Sequence, residues 1–260
     1  MASTSSTFSP ADKPHVAVHA LKLAYGENVI LRDLTFDIRR NEVFVIMGGS
    51  GCGKSTLLRH LIGLQQPASG EIFFDGAIFS SADASERTAL LRRFGVMYQS
   101  GALWTSLTLA ENVALPLREY TPLPDKDIAM LARYKLALVG LSGYEDYYPS
   151  EISGGMVKRA SLARAMALDP EVLFLDEPGA GLDPVTSRLL DDLILQLRDS
   201  LGATVVIVTH ELASIFAVAD RALFLDATTR TIGALGEPNE LRDHSENPRV
   251  RSFLNRKASL

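Results

Sequence analysis

The stretch GGSGCGKST, residues 48–56, directly follows the apolar run VFVIM at 43–47 and directly precedes the helically spaced LLRHLIGL at 57–64. Strand, glycine-rich turn and helix in immediate succession suit a phosphate chain. Glycines let backbone N–H groups close round the anion without side-chain obstruction, and the helix N-terminus adds its dipole. Gly48, Gly49, Gly51 and Gly53, with Ser50 and Cys52 between them, form the cradle. Lys54 is placed to reach the β- and γ-phosphates and Ser55 to offer a hydroxyl to Mg2+, with Thr56 closing the nucleotide-binding stretch. Cys52 reads as a small loop residue rather than a nucleophile. As the chain's 1 cysteine it also excludes an internal disulfide and a cysteine-based zinc site.

A nucleotide site needs an acidic element, and EVLFLDEP at 171–178 supplies one. Alone, Asp-Glu-Pro after an apolar run is ordinary turn chemistry. Beside the glycine loop, at the carboxyl end of a strand, Asp176 can hold the Mg2+ shell. Glu177 can face the γ-phosphate and orient or deprotonate the attacking water. A second anion-binding helix terminus is expected at ISGGMVKRASLARAMAL, residues 152–168. There Ser153, Gly154 and Gly155 precede a long helix with apolar positions Val157, Ala160, Ala163 and Ala167.

The rest of the chain frames these motifs as an α/β fold. Its 260 residues suffice for a self-supporting core, and 47% hydrophobic with 22% charged residues is an ordinary globular composition. The balance of 26 basic against 31 acidic residues, net -5, gives no field to attract a polyanion, so nucleic acid is not an expected partner. No apolar run approaches the ~20 residues that span a bilayer. Residues 1–14 read as a flexible tail, and 15–260 as one domain. Within it, 15–99 and 154–236 form the core, opening with an antiparallel β segment turned at Tyr25-Gly26-Glu27-Asn28. Residues 100–153, where strand signals nearly vanish, form a helical subdomain, and 237–260 a tail of short helices.

Taken together, these elements resemble the nucleotide-binding domain of an ABC transporter, in family order and over nearly all the chain after residue 15. The resemblance implies a P-loop NTPase cassette with a RecA-like core, an N-terminal antiparallel β subdomain and a helical subdomain. It implies that Tyr25 stacks on adenine, although by itself Tyr25 reads as a turn aromatic. It implies that Gln99 links Mg2+ and water to the helical subdomain, that Asp183 in GAGLDP (179–184) crosses a dimer interface, and that His210 holds the γ-phosphate. The bland alternatives are a solvated amide for Gln99 and a satisfied buried histidine for His210. In this family one subunit's SGG closes over another's phosphate loop. A chain with one copy of each is therefore expected to work as a homodimer glued by ATP.

Met156 stands where Gln usually follows the two glycines, Ile152 stands for Leu, and GAGLDP replaces a Thr-Ser version. These departures bear on the subfamily and leave the backbone donors intact. The run MYQSGALWTSLTLAENVALPLRE (97–119), SGGMVKR and the terminal NPRVRSFLN most resemble the ATPases of Mla/Mce-type phospholipid transporters. That resemblance implies an ATP-hydrolysing translocase subunit, peripheral on the cytoplasmic face of the inner membrane. Its partners would be an integral-membrane MlaE-like permease, a periplasmic Mce-domain lipid-binding protein and a small STAS-domain subunit. The rival readings are an ABC ATPase for another cargo (organic solvent or toluene, an amino acid, a drug), a non-transport ABC clamp, and a P-loop kinase, which would have no use for SGG. Leu103, Trp104 and Leu107 are candidates for an apolar groove receiving a permease helix, or for core filling. Val250, Phe253 and Leu254 either dock on a neighbour or pack on their own subunit.

Overall fold

A computed structural model describes residues 13–256; residues 1–12 of the expected tail and 257–260 at the other end lie outside the described residues. The alternating pattern at the start folds as expected. Strands β1 (Val16–Tyr25) and β2 (Asn28–Ile38) pair antiparallel, with Gly26 supplying the left-handed φ of 59° in the turn. Val16, Val18, Leu21 and Leu23 all face one side and are buried. After β3 (Val43–Met47) and α1 (Lys54–Leu61), the chain returns to this sheet with β4 (Ser69–Phe74) and β5 (Ala77–Ile78), giving the order β2-β1-β4-β5. Neither β4 nor β5 carries a strand signal of its own: SGEIFF alternates over only a few residues, and Ala77–Ile78 is two residues long. Gly70 is required at the crossing, because a Cβ there would lie 2.4 Å from the Ala20 carbonyl oxygen.

Helix α2 (Ala84–Leu91) and strand β6 (Phe94–Met97) lead into the helical region of α3 (Leu109–Tyr120), α4 (Asp125–Leu138) and α5 (Gly154–Ala165). Strand β7 (Val172–Asp176), helix α6 (Pro184–Leu201), strand β8 (Thr204–Val208), helix α7 (Leu212–Val218) and the hairpin of β9 (Arg221–Asp226) with β10 (Thr231–Gly236) complete the core. Helices α8 (Pro238–His244) and α9 (Pro248–Leu254) follow. The second sheet has the order β10-β9-β3-β8-β7-β6; every pair in it is parallel except β9 with β10.

Burial on both faces explains why β3, β7 and β8 read as continuous apolar runs. Val43, Val45 and Met47 face one core, shared with α3 to α7 and α9; Phe44 and Ile46 face the other, shared with the antiparallel sheet and α1. Aromatic rings join the two sheets. Phe74 of β4 lies 4.3 Å from Phe94 of β6 and edge-on to Phe174 of β7, ring centroid to ring centroid. Val250 and Leu254 are buried in the first core and Phe253 packs edge-on against Phe224, so α9 packs on its own subunit.

Outside the motifs, one polar cluster gathers round the buried His15 and another round the buried Asp191. His15 meets the Thr204 hydroxyl at 2.7 Å and lies near Asp75 and Glu171, a group with the makings of a metal site. Arg93 already forks onto Glu171 with two contacts of 2.7 Å and also binds Asp75, while Arg40 pairs with Asp75, so the carboxylates are spent on a structural ion network. In α6, Asp191 is buried and accepts from the Ser214 hydroxyl at 2.9 Å; burial pushes its carboxyl from the ordinary 3.8 up to about 6. The folded chain therefore keeps this proton longer than the unfolded one, and stability is lost as pH rises through about 6. Asp191→Asn keeps the Ser214 contact and removes the charge. It is expected to raise unfolding stability by about 1–3 kcal/mol at pH 7.5 and by almost nothing at pH 4. Denaturant melts at both pH values check this, and an equal effect at both would show that ionisation is not the cause.

Candidate active site

Strand order decides what meets at the site. The adjacent parallel strands β3, β8, β7 and β6 end, at their carboxyl edge, in Gly48, Thr209–His210, Glu177 and Gln99 respectively. Residues 162 positions apart in the chain become neighbours on one rim.

The glycine loop has the conformation its composition predicts. Gly48, Gly51 and Gly53 have φ of 148°, 76° and 100°. A Cβ on Gly48 would sit 2.7 Å from both the Cys52 sulfur and the Leu225 carbonyl oxygen. Gly53 caps α1 without a side-chain hydrogen bond, which leaves the first-turn amides of Lys54, Ser55 and Thr56 for a ligand. Lys54 Nζ donates to the carbonyls of Gly48 at 2.9 Å and Gly49 at 3.0 Å, which suspends the ammonium over the loop. Gly49 and Ser50 lie on the loop's outer side, where a Cβ on Gly49 meets nothing. Cys52 is buried in the core between the sheets, so only its backbone can face an anion.

Next to the loop, Glu177 is 8% exposed and has a left-handed φ of 45°, a conformation a non-glycine residue adopts at a cost of about 1–2 kcal/mol. Its amide donates to the Val208 carbonyl at 2.8 Å, which ties the ends of β7 and β8 together. His210 Nδ1 lies 2.7 Å from Glu177 Oε1, and the Thr209 hydroxyl donates to Oε2 at 3.1 Å. Asp176 is half-buried; burial first, then the charge of Glu177, pushes its carboxyl up, and its buried Oδ1 has no partner. Tyr25 is 47% exposed beside the turn, with its hydroxyl donating to Gln65 at 2.9 Å. Gln99 is exposed at the end of β6.

Ser153 and the two glycines lie elsewhere. Helix α5 begins at Gly154, so Ser153 is its cap rather than a residue ahead of a glycine spacer; its hydroxyl accepts from Met156 N at 3.3 Å. Ser153 and Gly154 are exposed, while Gly155 packs against Thr186 of α6, where a Cβ would come within 2.6 Å. Among the described residues no hydrogen bond joins this turn to residues 48–56. Asp183 caps α6, accepting from Val185 N and Thr186 N at 3.0 Å each; beside it Val185 and Leu189, one turn apart, are 71% and 64% exposed.

Three residues that matter here were not singled out from the sequence. Thr209 and Lys158 touch Glu177, and Asn112 sets the loop before α3. The face of α5 expected from Val157, Ala160, Ala163 and Ala167 is too narrow, because the helix is buried nearly all round. The stripe 158, 161, 162 and 165 carries a lysine at its head, and a charge on a core stripe is the signal that could have revealed it.

A family model described as ABC transporter matches residues 31–180. The chain is 42% identical over 240 residues to the probable ribonucleotide transport ATP-binding protein mkl of Mycobacterium tuberculosis, which covers 92% of this chain and 66% of that protein. The chain thus spans just under two thirds of the length of that relative. It is 41% identical over 229 residues to the intermembrane phospholipid transport system ATP-binding protein MlaF of Escherichia coli, covering 88% of this chain and 84% of that one. Among solved structures, the ATP-binding cassette MJ0796, a dimer in a post-hydrolysis state bound to ADP and Pi, superposes with a TM-score of 0.77 at 29% identity, covering 85% of this chain and 98% of that chain. The cbiO1 protein of Clostridium perfringens, part of the ABC transporter complex cbiONQ, superposes with 0.82 at 27%, covering 94% and 97%.

Proposed function

The chain belongs to the ABC transporter family of ATP-binding cassettes, and from that premise we propose that it is the ATP-hydrolysing subunit of a transporter that moves phospholipid between membranes. The observation that carries the hydrolytic part is the Glu177–His210 pair, at 2.7 Å, on the same rim as the glycine loop. Gly48 to Gly53 and the free amides of α1 wrap the phosphates, Lys54 swings from its loop carbonyls to the β- and γ-phosphates, and Tyr25 supports the base. Asp176, Ser55 and Gln99 offer hard oxygen donors, and the unpartnered buried Oδ1 of Asp176 suits a magnesium shell. Bound Mg2+ would neutralise charge on the phosphates.

Glu177 then takes a proton from water as its oxygen attacks the γ-phosphorus. The bond to the β–γ bridging oxygen breaks, and ADP leaves with the electron pair while phosphate is released. His210, hydrogen-bonded to Glu177, is placed to meet the γ-phosphate oxygens. Ser153 and Gly154 are exposed and, among the described residues, share no hydrogen bond with their own loop, and the exposed Val185 and Leu189 flank Asp183. Both features support a second copy completing each site.

The cargo rests on similarity to MlaF, whose length this chain matches better than that of mkl, the relative named for ribonucleotides. Among the described residues no helix is long and apolar enough to cross a membrane; the similarity to MlaF supports a partner permease as the path. Trp104 supports its docking place. Trp104 is 62% exposed, so it is not core filling, whereas Leu103 packs against the core. Buried Asn112 holds the Trp104 backbone from both sides, accepting from its N–H at 2.7 Å and donating to its carbonyl at 3.0 Å.

Reconstitution with an MlaE-like permease in phospholipid vesicles tests the whole reading. The expected results are ATP turnover stimulated by the permease and ATP-dependent transfer of labelled phospholipid; stimulation by ribonucleotide instead would reassign the cargo. Trp104→Glu is expected to fold normally, keep ATP binding and lose the permease in a pull-down. A folded Trp104→Glu variant that still binds the permease would remove Trp104 from the docking place.

A further inference from the structure

Helix α5 starts at Gly154, capped by Ser153, and its side chains hold the segment after β6 by that segment's backbone. Arg164 donates to the carbonyls of Ala102 at 2.7 Å and Gly101 at 3.0 Å. Gly101 itself lies so close to Ser161 that a Cβ would come within 2.6 Å of its hydroxyl. Four residues from the start of the helix is Lys158, a lysine with only 7% of its surface exposed. Its ammonium donates to the backbone carbonyl of Gln99 and, at 3.3 Å, to that of Glu177. Among the described residues no carboxylate pairs with it directly, although Asp176, Glu177 and Glu211 are near enough for their charges to act on it. A buried ammonium is costly unless its protons are used, so a lysine that spends its protons on two carbonyls from different strands fixes the spacing of those strands' ends.

We infer that Lys158 is a positioning residue for hydrolysis: it fastens the backbones of Gln99 and Glu177 to the signature helix, so that the water-activating carboxylate follows the Ser153 end of α5. The inference rests on the hydrolytic reading above and adds a route to it. The signature turn and Glu177 lie on different elements of one chain, and Lys158 is the side chain that hydrogen-bonds from the first to the second. Contact at Ser153–Gly155 by another subunit's nucleotide would shift α5 as a rigid rod. Through this ammonium it would then carry the carbonyls of Gln99 and Glu177 into register with the γ-phosphate.

The test uses the full chain assembled with its membrane permease in phospholipid vesicles, comparing Lys158→Met, Lys158→Gln and Lys158→Arg. Methionine fills the volume without a donor; it is expected to lower kcat about 10–100-fold, the scale of an ångström's misplacement. The ATP KM and the equilibrium affinity for ATP should stay within about threefold. Arginine, which can still donate to two carbonyls, should recover most of kcat, and glutamine, with one short amide, should fall between. A structural role alone would lower thermal stability and the active fraction while leaving kcat per bound nucleotide unchanged. If the methionine variant does not fold, glutamine is decisive. Wild-type kcat in folded Lys158→Gln or Lys158→Met, or a rise in KM at unchanged kcat, overturns the inference. A wild-type assembly that does not hydrolyse ATP would instead overturn the proposed function itself.

Discussion

Glu177→Gln is expected to stop ATP turnover almost completely while leaving nucleotide binding and the fold intact. The substitution is nearly isosteric, and Gln tolerates the left-handed φ of 45° no worse than Glu does. The amide oxygen can still accept from the Thr209 hydroxyl, which now donates at 3.1 Å, and the backbone bond to Val208 is untouched. What disappears is a group able to take a proton from water. A positioned general base is worth typically ~10²–10⁴-fold, so kcat should fall by at least about 100-fold. Among the described residues no hydrogen bond joins this side chain to the glycine loop or α1, so the ATP dissociation constant should change less than about threefold. Phosphate release at saturating ATP and equilibrium dialysis at low ATP measure the two quantities separately. Turnover within about tenfold of wild type would move the base elsewhere on the rim. Loss of ATP binding would mean that Glu177 supports the cradle rather than the water.

The division between what could and could not be read from the sequence follows from how local each feature is. The loop at 48–56 is legible because its conformation is set within nine residues: glycines where φ must be positive, an apolar strand before and an apolar helix after. Strands β3, β7 and β8 are legible because burial on both faces makes each a nearly unbroken apolar run, with polar residues only at the ends, Asp176 in β7 and Thr204 in β8. The pair β4 and β5 is not, since its stability comes from Phe74 and Phe79 meeting Phe94 and Phe174 across two sheets, which no window of sequence contains. The candidate site divides in the same way. Glu177 and His210 were found as motif residues, but their 2.7 Å contact depends on β7 and β8 being neighbours, 33 positions apart in the chain. Thr209 and Lys158 are hard to read because each acts through long-range hydrogen bonds, Thr209 to the Glu177 carboxylate and Lys158 to the carbonyls of Gln99 and Glu177, and only the charge on a core stripe of α5 marks Lys158 locally. That Trp104 is exposed rather than core, and that α9 packs on its own subunit, are visible only in the burial of the folded chain, for the same reason.

Gly154→Asp is expected to abolish hydrolysis without harming the chain that carries it, and the reason lies in where the residue points. A Cβ at Gly154 meets nothing within 4 Å in its own subunit, and the position is the first residue of α5. An aspartate there is favourable to the helix dipole, by about 0.3–1 kcal/mol, so folding should be unaffected or slightly improved. Any loss of turnover must then come from something brought to that turn from outside, and an added carboxylate repels a triphosphate held on the glycine loop of a second copy. Ser153→Arg should give the same loss by bulk. ATP binding to each subunit's own loop should persist in both variants, whereas Lys54→Ala should lose it.

The decisive form of the experiment mixes the defects. In a dimer of one Gly154→Asp chain and one Lys54→Ala chain, head-to-tail pairing sets the first chain's intact loop against the second chain's intact Ser153 turn. One sound site is restored, and the other carries both lesions. Each parental homodimer should fall below about 1% of wild-type turnover, a loss of the size expected when transition-state contacts are removed. The purified mixed dimer should recover turnover toward half of wild type. If loop and signature of one chain instead served the same nucleotide, no pairing of these two chains would hold a complete site, and the mixed dimer would be as inactive as its parents. Normal turnover in the Gly154→Asp homodimer would likewise remove the Ser153 turn from the catalytic site.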